Sequence, residues 1–169
     1  MDACLRAASS EDAPTISRIL AESWKAAYVG MVPQAYLDGL DADHSTKRVR
    51  ADLSSGKLNA FLLLEDGIPV GTVGYGKSRD EKLPDWGEIQ FIYLCPGFCR
   101  RGYGKKLLCA AVDALQQFGF QNCFLWVLKE NRNAQEFYSA VGFRATNDIT
   151  HSKTMGKQLT EVRYCFSVE

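Results

Sequence analysis

Residues 98–106 form a glycine-rich, basic run, Phe-Cys-Arg-Arg-Gly-Tyr-Gly-Lys-Lys, with the composition of a phosphate-binding turn. Gly102 and Gly104 have no side chain, so the main chain around them can approach a ligand closely. A helix that starts beyond them would present unpaired N–H groups and a partial positive charge, a combination that binds phosphate. Four cationic side chains add local charge suited to a pyrophosphate or a ribose phosphate: Arg100, Arg101, Lys105 and Lys106.

The same run could also be an ordinary glycine turn with lysines on the solvated face of the next helix. Two other phosphate-binding loops match it poorly. A dinucleotide-binding loop requires G-x-G-x-x-G and a later acidic residue, and a nucleoside triphosphate loop requires G-x-x-x-x-G-K-[ST]. The residues alone therefore leave a phosphate site and a solvated turn as alternatives.

The elements that would position this turn follow from periodicity and punctuation. Predicted helices cover residues 13 to about 28, 34–40, 45–53, 105–118 and 133–141. Predicted strands cover residues 59–64, 68–75, 86–94, 122–128, 143–145 and 162–168, and a polar stretch at 147–160 separates the last two. Asp66-Gly67 predicts a tight hairpin, and Asn133 is the predicted cap of the last helix.

This order of elements predicts an α/β (or α+β) fold whose central strands pair through a right-handed helical crossover. The 169 residues, 46% hydrophobic and 24% charged, suit a single folded domain covering 1–169. Twenty basic and twenty acidic side chains give no overall field for nucleic acid. The longest apolar stretch, 60–64, is far below the roughly 20 residues of a membrane span. We therefore expect no nucleic-acid or membrane partner and a cytoplasmic protein.

Six cysteines are scattered without a C-x-x-C pair, and only two histidines could complete a metal site. We therefore predict no metal and interpret the cysteines as core residues of a reduced protein. They are Cys4, Cys95, Cys99, Cys109, Cys123 and Cys165.

Two blocks together resemble the GNAT family of N-acetyltransferases. Arg101-Gly102-Tyr103-Gly104 is similar to its motif A, which holds the pyrophosphate of acetyl-coenzyme A, and residues 131–143 are similar to its motif B. The resemblance covers nearly the whole chain. It implies a mixed, mostly antiparallel sheet of about six or seven strands, flanked by about four helices. It also implies acetyl-coenzyme A as cosubstrate and an amine as acetyl acceptor.

The resemblance also assigns roles to single residues. It implies that the main-chain N–H of Leu94 binds the oxyanion, that Tyr138 protonates the leaving thiolate, and that Asn131 contacts the pantetheine arm or a bound water. Glu88 stands where some relatives have a carboxylate base, but it could equally be a strand carboxylate, with ordered water taking the proton. Cys99 replaces the usual Gln or Arg, so we expect weaker or shifted phosphate binding, with Arg100 as a substitute.

The cofactor-binding residues that we predict are Leu94, Cys95, Arg100, Arg101, Gly102, Tyr103, Gly104, Lys105, Asn131, Asn133 and Tyr138. The catalytic residues are Tyr138 and Glu88, and Trp24, Tyr28 and Glu88 would line the acceptor site. Direct transfer in a ternary complex is the predicted route, with a covalent acetyl-cysteine as the alternative.

The acceptor amine is not identified by the sequence. A small molecule is the leading prediction, with a protein N-terminus or lysine as the nearest alternative and a non-catalytic acetyl-coenzyme A-binding module as a further one. The resemblance also leaves a homodimer open.

Overall fold

The computed structural model describes residues 2–168 and contains one seven-stranded sheet within that range. The strands are β1 (Ala3–Ala7), β2 (Asn59–Glu65), β3 (Ile68–Lys77), β4 (Gly87–Leu94), β5 (Asn122–Leu128), β6 (Arg144–Thr154) and β7 (Lys157–Ser167). The helices are α1 (Ala13–Ala27), α2 (Gln34–Asp38), α3 (Thr46–Ser55), α4 (Tyr103–Gln117) and α5 (Arg132–Val141). A mixed sheet flanked by helices confirms the predicted fold class.

The sheet has the order β1-β2-β3-β4-β5-β7-β6, and its one parallel pair is β4–β5. The other neighbours are antiparallel. A parallel pair needs a crossover, which α4 provides between β4 and β5. The residues that follow β4 therefore have to leave the sheet and start a helix at its edge, where the predicted phosphate turn lies.

Strands β4 and β5 pair only at their beginnings, where Gly87 faces Cys123 and Glu88 faces Phe124. Strand β4 nevertheless stays paired with β3 as far as Leu94. Its register against β3 shifts by one residue around Gln90, which is a bulge, and bulges bend the strand that carries them. The result is a gap between the second half of β4 and β5.

The two faces of the sheet are covered by different helices. Helices α4 and α5 pack on one face through a core that includes Leu107, Leu108 and Tyr138. Helices α1, α2 and α3 pack on the other face through residues such as Ile16, Leu37 and Val49. None of these helices, within residues 2–168, has the length and apolar character to span a membrane.

Three sequence predictions about the elements were wrong. Residues 3–7 form the edge strand β1, for which we predicted no element. The polar stretch 147–160 is mostly strand, because β6 and β7 form a long hairpin that turns at Met155-Gly156. Strand β6 is almost entirely exposed, so it lacks the alternating apolar pattern from which strands are predicted. The helix predicted over residues 105–118 ends at Gln117, so Phe118 follows the end of α4 and is exposed.

Candidate active site

Helix α4 begins directly after a turn with unusual main-chain angles. Arg100 and Gly102 have positive φ values of 61° and 80°. A Cβ added at Gly102 would meet no atom within 4 Å, so space does not require glycine here. The positive φ does, because residues with a side chain rarely adopt it. At Gly104 an added Cβ would lie 3.1 Å from Cζ of Phe137, so glycine there lets α4 approach α5 closely.

The main-chain N–H groups of residues 99–105 have no hydrogen-bond acceptor within the described range 2–168. Several belong to the first turn of α4, where amides lack partners in the helix and the helix dipole adds positive charge. Successive amides in such a turn form a concave site for an anion. The turn therefore has the geometry of the predicted phosphate cradle, which we define as residues 99–105.

The basic side chains of this region divide into two groups. Nη1 of Arg101 donates to Oε1 of Glu65 on β2 at 3.0 Å, and Tyr103 donates its hydroxyl to the same oxygen. Nζ of Lys106 donates to the carbonyl oxygen of Ala3 at 2.6 Å. These bonds tie the turn to the β1–β2 edge of the sheet. Arg100 and Lys105 are exposed and remain available to an anionic ligand.

Leu94, the last residue of β4, presents its main chain to the gap. The N–H of the next residue, Cys95, donates to the carbonyl of Val70 on β3 at 2.8 Å. Main-chain groups alternate in direction along an antiparallel pair, so the N–H and C=O of Leu94 point away from β3, toward the side where β5 has separated. Its carbonyl accepts a 2.7 Å bond from the hydroxyl of Ser23 on α1.

Cys95 faces away from the gap. Its N–H is bonded to β3, and its thiol is buried in the core beneath α1. Burial raises the pKa of this thiol, and the nearby Glu22 raises it further. A protonated thiol is a poor nucleophile, which argues against the covalent alternative at this residue. The predicted contact between Cys95 and a cofactor has no free main-chain donor to support it.

Three phenols approach one another at the gap from both faces of the sheet. The hydroxyls of Tyr28, just after α1, and Tyr93, on β4, are 3.1 Å apart. Tyr138 reaches the same region from α5 and is 9% exposed. Burial, with an additional contribution from the Tyr28 charge, raises the pKa of Tyr138 and that of Tyr93. All three therefore keep their protons at neutral pH.

Aromatic rings line the α1 side of the gap. The rings of Trp24 and Tyr28 meet edge to face with centroids 4.7 Å apart. Trp24 also lies 6.2 Å from the ring of Tyr36 and 6.5 Å from that of Tyr93. The structure thus brings Trp24 and Tyr28, the two aromatic residues predicted for the acceptor side, together beside Tyr93.

Glu88 is engaged in an ion pair. It is 3% exposed, and Arg79 in the β3–β4 loop donates three hydrogen bonds to it. These bonds involve both carboxylate oxygens, at 2.6 to 3.1 Å. Arg79 thus holds both carboxylate oxygens, and the side chain is almost inaccessible to a substrate amine. Its predicted role as base stays a prediction, which this geometry disfavours.

The helix cap of α5 differs from the prediction. Asn131, not Asn133, is the N-cap, and its Oδ1 accepts a 3.2 Å bond from the N–H of Ala134. Asn133 lies in the first turn and is exposed. The predicted cap was therefore two residues too late, which is within the usual uncertainty of helix starts. The side-chain amide nitrogen of Asn131 keeps its donors.

Sequence reasoning missed two carboxylates near the site, Glu65 and Glu161. Glu65 holds the cradle from β2, 36 residues before Arg101, and Glu161 lies on β7, one residue before the strand predicted at 162–168. Neither residue belongs to a local motif. Only the pairing of distant strands brings them near the turn and the gap.

The chain is similar to known acetyltransferases in sequence. A profile described as the acetyltransferase (GNAT) family matches residues 19–143. YuaI of Bacillus subtilis, an uncharacterized N-acetyltransferase, is 30% identical over 129 residues, 75% of this chain and 72% of that protein. A spermidine N(1)-acetyltransferase of Thermoplasma acidophilum is 25% identical over 141 residues, 83% and 87% of the two chains. A [ribosomal protein bS18]-alanine N-acetyltransferase of Haemophilus ducreyi is 43% identical over 73 residues, 43% and 48% of the two.

The fold is similar to a solved structure as well. The PaiA N-acetyltransferase from Thermoplasma acidophilum, in complex with coenzyme A, superposes with a TM-score of 0.76 at 21% identity. The match covers 95% of this chain and 98% of that chain. The family profile spans most of the chain, and YuaI, an N-acetyltransferase, is 30% identical over 75% of it. The chain therefore belongs to the GNAT family of acetyltransferases.

Proposed function

We propose that this protein transfers an acetyl group from acetyl-coenzyme A to a primary amine on a small molecule, by direct attack in a ternary complex. One observation carries the proposal: the gap between β4 and β5 opens beside a turn whose amides lack acceptors among the described residues. Such a turn suits a diphosphate, and such a gap suits a slender chain that ends in a thioester. PaiA, of similar fold, was solved with coenzyme A.

The residues of the cradle fit the charged end of this cosubstrate. Its amides and the exposed Arg100 and Lys105 would hold the diphosphate, while Cys99, an exposed thiol, adds no charged donor. Acetyl-coenzyme A supplies an acetyl thioester whose carbonyl carbon the amine attacks. The residues at the gap determine how that attack is assisted.

Two groups at the gap suit the charges that develop during transfer. The N–H of Leu94 is directed to the gap and would stabilise negative charge on a carbonyl oxygen. Tyr138 keeps its proton because burial raises its pKa, so the phenol can give that proton to a leaving thiolate. Asn131, at the start of α5, has amide donors left to orient the arm of the cosubstrate or a water.

Thermal shift tests the binding part of the proposal. Acetyl-coenzyme A at about 100 times its Kd should add about 2.7 kcal/mol, or roughly 5–10 °C in Tm. Gly102→Glu should abolish the shift, because it places bulk and negative charge in the cradle. Gly119→Glu is the matched control, since Gly119 also has a positive φ with open space around it but follows the other end of α4.

Release of free coenzyme A thiol tests the reaction. We expect release to depend on an added amine, with small cationic amines as the best acceptors, as the spermidine acetyltransferase relative suggests. A wild-type protein with neither a thermal shift nor amine-dependent release would overturn the proposal.

A protein acceptor is the second candidate. It is favoured by the 43% identity to a [ribosomal protein bS18]-alanine N-acetyltransferase, although the match covers only 43% of this chain. The same assay separates the two candidates if it includes a peptide that begins with alanine. Faster release with the peptide than with every small amine would favour the protein acceptor.

A further inference from the structure

Glu161 is a carboxylate on the acceptor face of the sheet. It lies on β7 between Leu159 and Arg163, and it faces Leu128 of β5 in the strand register. Side chains alternate along a strand, so Glu161 shares a face with Leu159, which packs against α1 and α2. This is the face lined by Trp24 and Tyr28, opposite the face that α4 covers.

The carboxylate of Glu161 is half-buried and makes no hydrogen bond or ion pair with any residue in the range 2–168. The two most buried glutamates of the sheet differ in this respect, since Glu65 accepts from two side chains and Glu88 from Arg79. Withdrawing an unpaired carboxylate from water costs free energy. Because Glu161 lies on the acceptor face, a role in binding the acceptor would explain why the protein bears this free-energy cost.

The groups that face Glu161 connect it with the gap. Tyr28 approaches from the end of α1, and the negative charge of Glu161 adds to burial in raising the pKa of this phenol. Arg79 approaches from the β3–β4 loop, but it is bound to Glu88. Arg163, next on the same face of β7, donates to Asp80 and lies over the rings of Phe124 and Trp126. Both neighbouring cations are therefore committed elsewhere.

We infer that Glu161 binds the ammonium group of the acceptor and takes a proton from it, an inference that rests on the proposed transfer to an amine. The aromatic rings of Trp24 and Tyr28 add faces that attract a cation and an aliphatic chain. The acceptor class is thus a primary ammonium on a slender apolar chain. The hydroxyl of Tyr28 contacts that of Tyr93, and the charge of Tyr28 contributes to the raised pKa of Tyr138. An amine bound beside Tyr28 would therefore lie close to Tyr138, the proposed proton donor at the gap.

The proton balance of the reaction is complete. Of three protons on the ammonium nitrogen, one passes to Glu161 and then to solvent, which frees the lone pair that forms the C–N bond. A second proton leaves the nitrogen as the C–S bond breaks, and it replaces the proton that Tyr138 gives to sulfur. The third stays on the amide product.

Variants of Glu161 test this inference in the thiol-release assay. The panel contains spermidine, 1,4-diaminobutane, glucosamine and an alanine-initiated peptide, and the acceptor with the highest kcat/KM is used. Glu161→Gln should lower kcat/KM for that amine by about 100-fold, the low end of what a positioned base contributes. It should leave the acetyl-coenzyme A thermal shift unchanged. Glu130→Gln is the matched control, because Glu130 is an exposed carboxylate after β5, and it should keep full activity.

The pH profile separates a base from a residue that only supports the fold. In wild type, kcat/KM should rise with pH through a limb that belongs to Glu161, and Glu161→Gln should lack this limb. Glu161→Asp should keep the limb at reduced kcat/KM, which provides a second variant if the amide variant folds poorly. An active wild type whose Glu161→Gln variant keeps both its limb and a kcat/KM within threefold would overturn the inference and leave the proposed function intact. A wild type inactive with every amine and unshifted by acetyl-coenzyme A would remove the proposed function itself.

Discussion

The glutamates of the sheet illustrate how burial and partners assign a role to a side chain. Glu65 and Glu88 are nearly inaccessible, and donors occupy them. Glu161 is more accessible, has no such donor among the described residues, and has a raised pKa because burial outweighs the charge of Arg79. A carboxylate that exchanges protons needs access and an unshifted or raised pKa, whereas one that organises structure needs partners.

Tyr138 gives a direct prediction about the proton donor. Tyr138→Phe should lower kcat by about 10- to 100-fold and change acetyl-coenzyme A affinity little, because its proposed bond forms only as the thiolate leaves. Calorimetric titration and steady-state kinetics measure the two quantities. Tyr75→Phe is the control, since Tyr75 is a buried phenol in the same core that stacks on Phe61. Equal turnover in the Tyr138 and Tyr75 variants would remove Tyr138 as the acid.

For Glu88 we predict an effect on stability rather than on turnover. Glu88→Gln should lower the free energy of unfolding by about 1–3 kcal/mol, because it weakens the charged bonds from Arg79. We expect kcat to stay within about threefold of wild type, in contrast to Glu161→Gln. Thermal unfolding and thiol release measure the two effects. A large loss of kcat with an unchanged Tm would restore Glu88 as the base.

The residues of the site could be predicted only from a local motif or from the family resemblance. The turn at 99–105 and the tyrosine of α5 were found from spacing and family resemblance. Glu65 and Glu161 come from strands whose partners lie far along the chain, so no local pattern signals their position. Glu88 forms its ion pair with Arg79, which lies in a loop. The sequence does not show where the side chain of a loop residue points, so this pair could not be predicted.

At the scale of elements, the bulge in β4 produces the site. It lies just beyond the last residues that pair with β5, so the strand bends where the parallel ladder ends. The freed edge then carries Leu94 to the start of the cradle, and α4 follows. One irregularity thus connects Leu94, the proposed oxyanion donor, with the proposed phosphate turn.

The contact between the cradle and β2 gives the prediction for this scale. Glu65→Gln should raise the Kd for acetyl-coenzyme A by about 3- to 10-fold, which corresponds to about 0.6–1.4 kcal/mol. The reason is that Arg101 and Tyr103 lose a charged acceptor that holds the turn. Titration calorimetry measures the Kd. Glu22→Gln, which removes an exposed pair with Arg18, is the control and should not change it.

The elements that were hard to predict share a weak sequence pattern. Strand β1 has five residues at the edge of the sheet, and its pairing with β2 depends on a partner that begins more than fifty residues later. Strand β6 is polar along most of its length, and it is held by β7 rather than by a core. The long buried segments, such as β5 and α4, followed their periodicity closely.

At the scale of the whole molecule, the sheet separates the two binding functions that we propose. The cradle lies at the start of α4, and Tyr138 belongs to the core under α4 and α5. Trp24, Tyr28 and Glu161 belong to the face under α1 and α2. The gap between β4 and β5 is where groups from both faces meet, so cosubstrate and acceptor can reach one point from opposite sides.

The charge of Glu161 also predicts how the stability of the whole protein depends on pH. Because its folded pKa is raised above the unfolded value near 4.3, the folded state favours the protonated carboxyl. That stabilisation is fully present below the unfolded pKa and is lost as pH rises through the folded pKa. Glutamine does not titrate. Glu161→Gln should therefore raise Tm relative to wild type at pH 7–8, with a smaller difference near pH 4.

Differential scanning calorimetry of the two proteins from pH 4 to 8 measures this difference. The expected sign matters, because a glutamate that serves the fold would lower Tm when it is replaced. A variant that gains stability at neutral pH while it loses turnover would indicate that the protein keeps this carboxylate for its acceptor and at the expense of its fold. A fall in Tm of Glu161→Gln at pH 7–8 would instead identify Glu161 as a structural residue with a partner on the acceptor face.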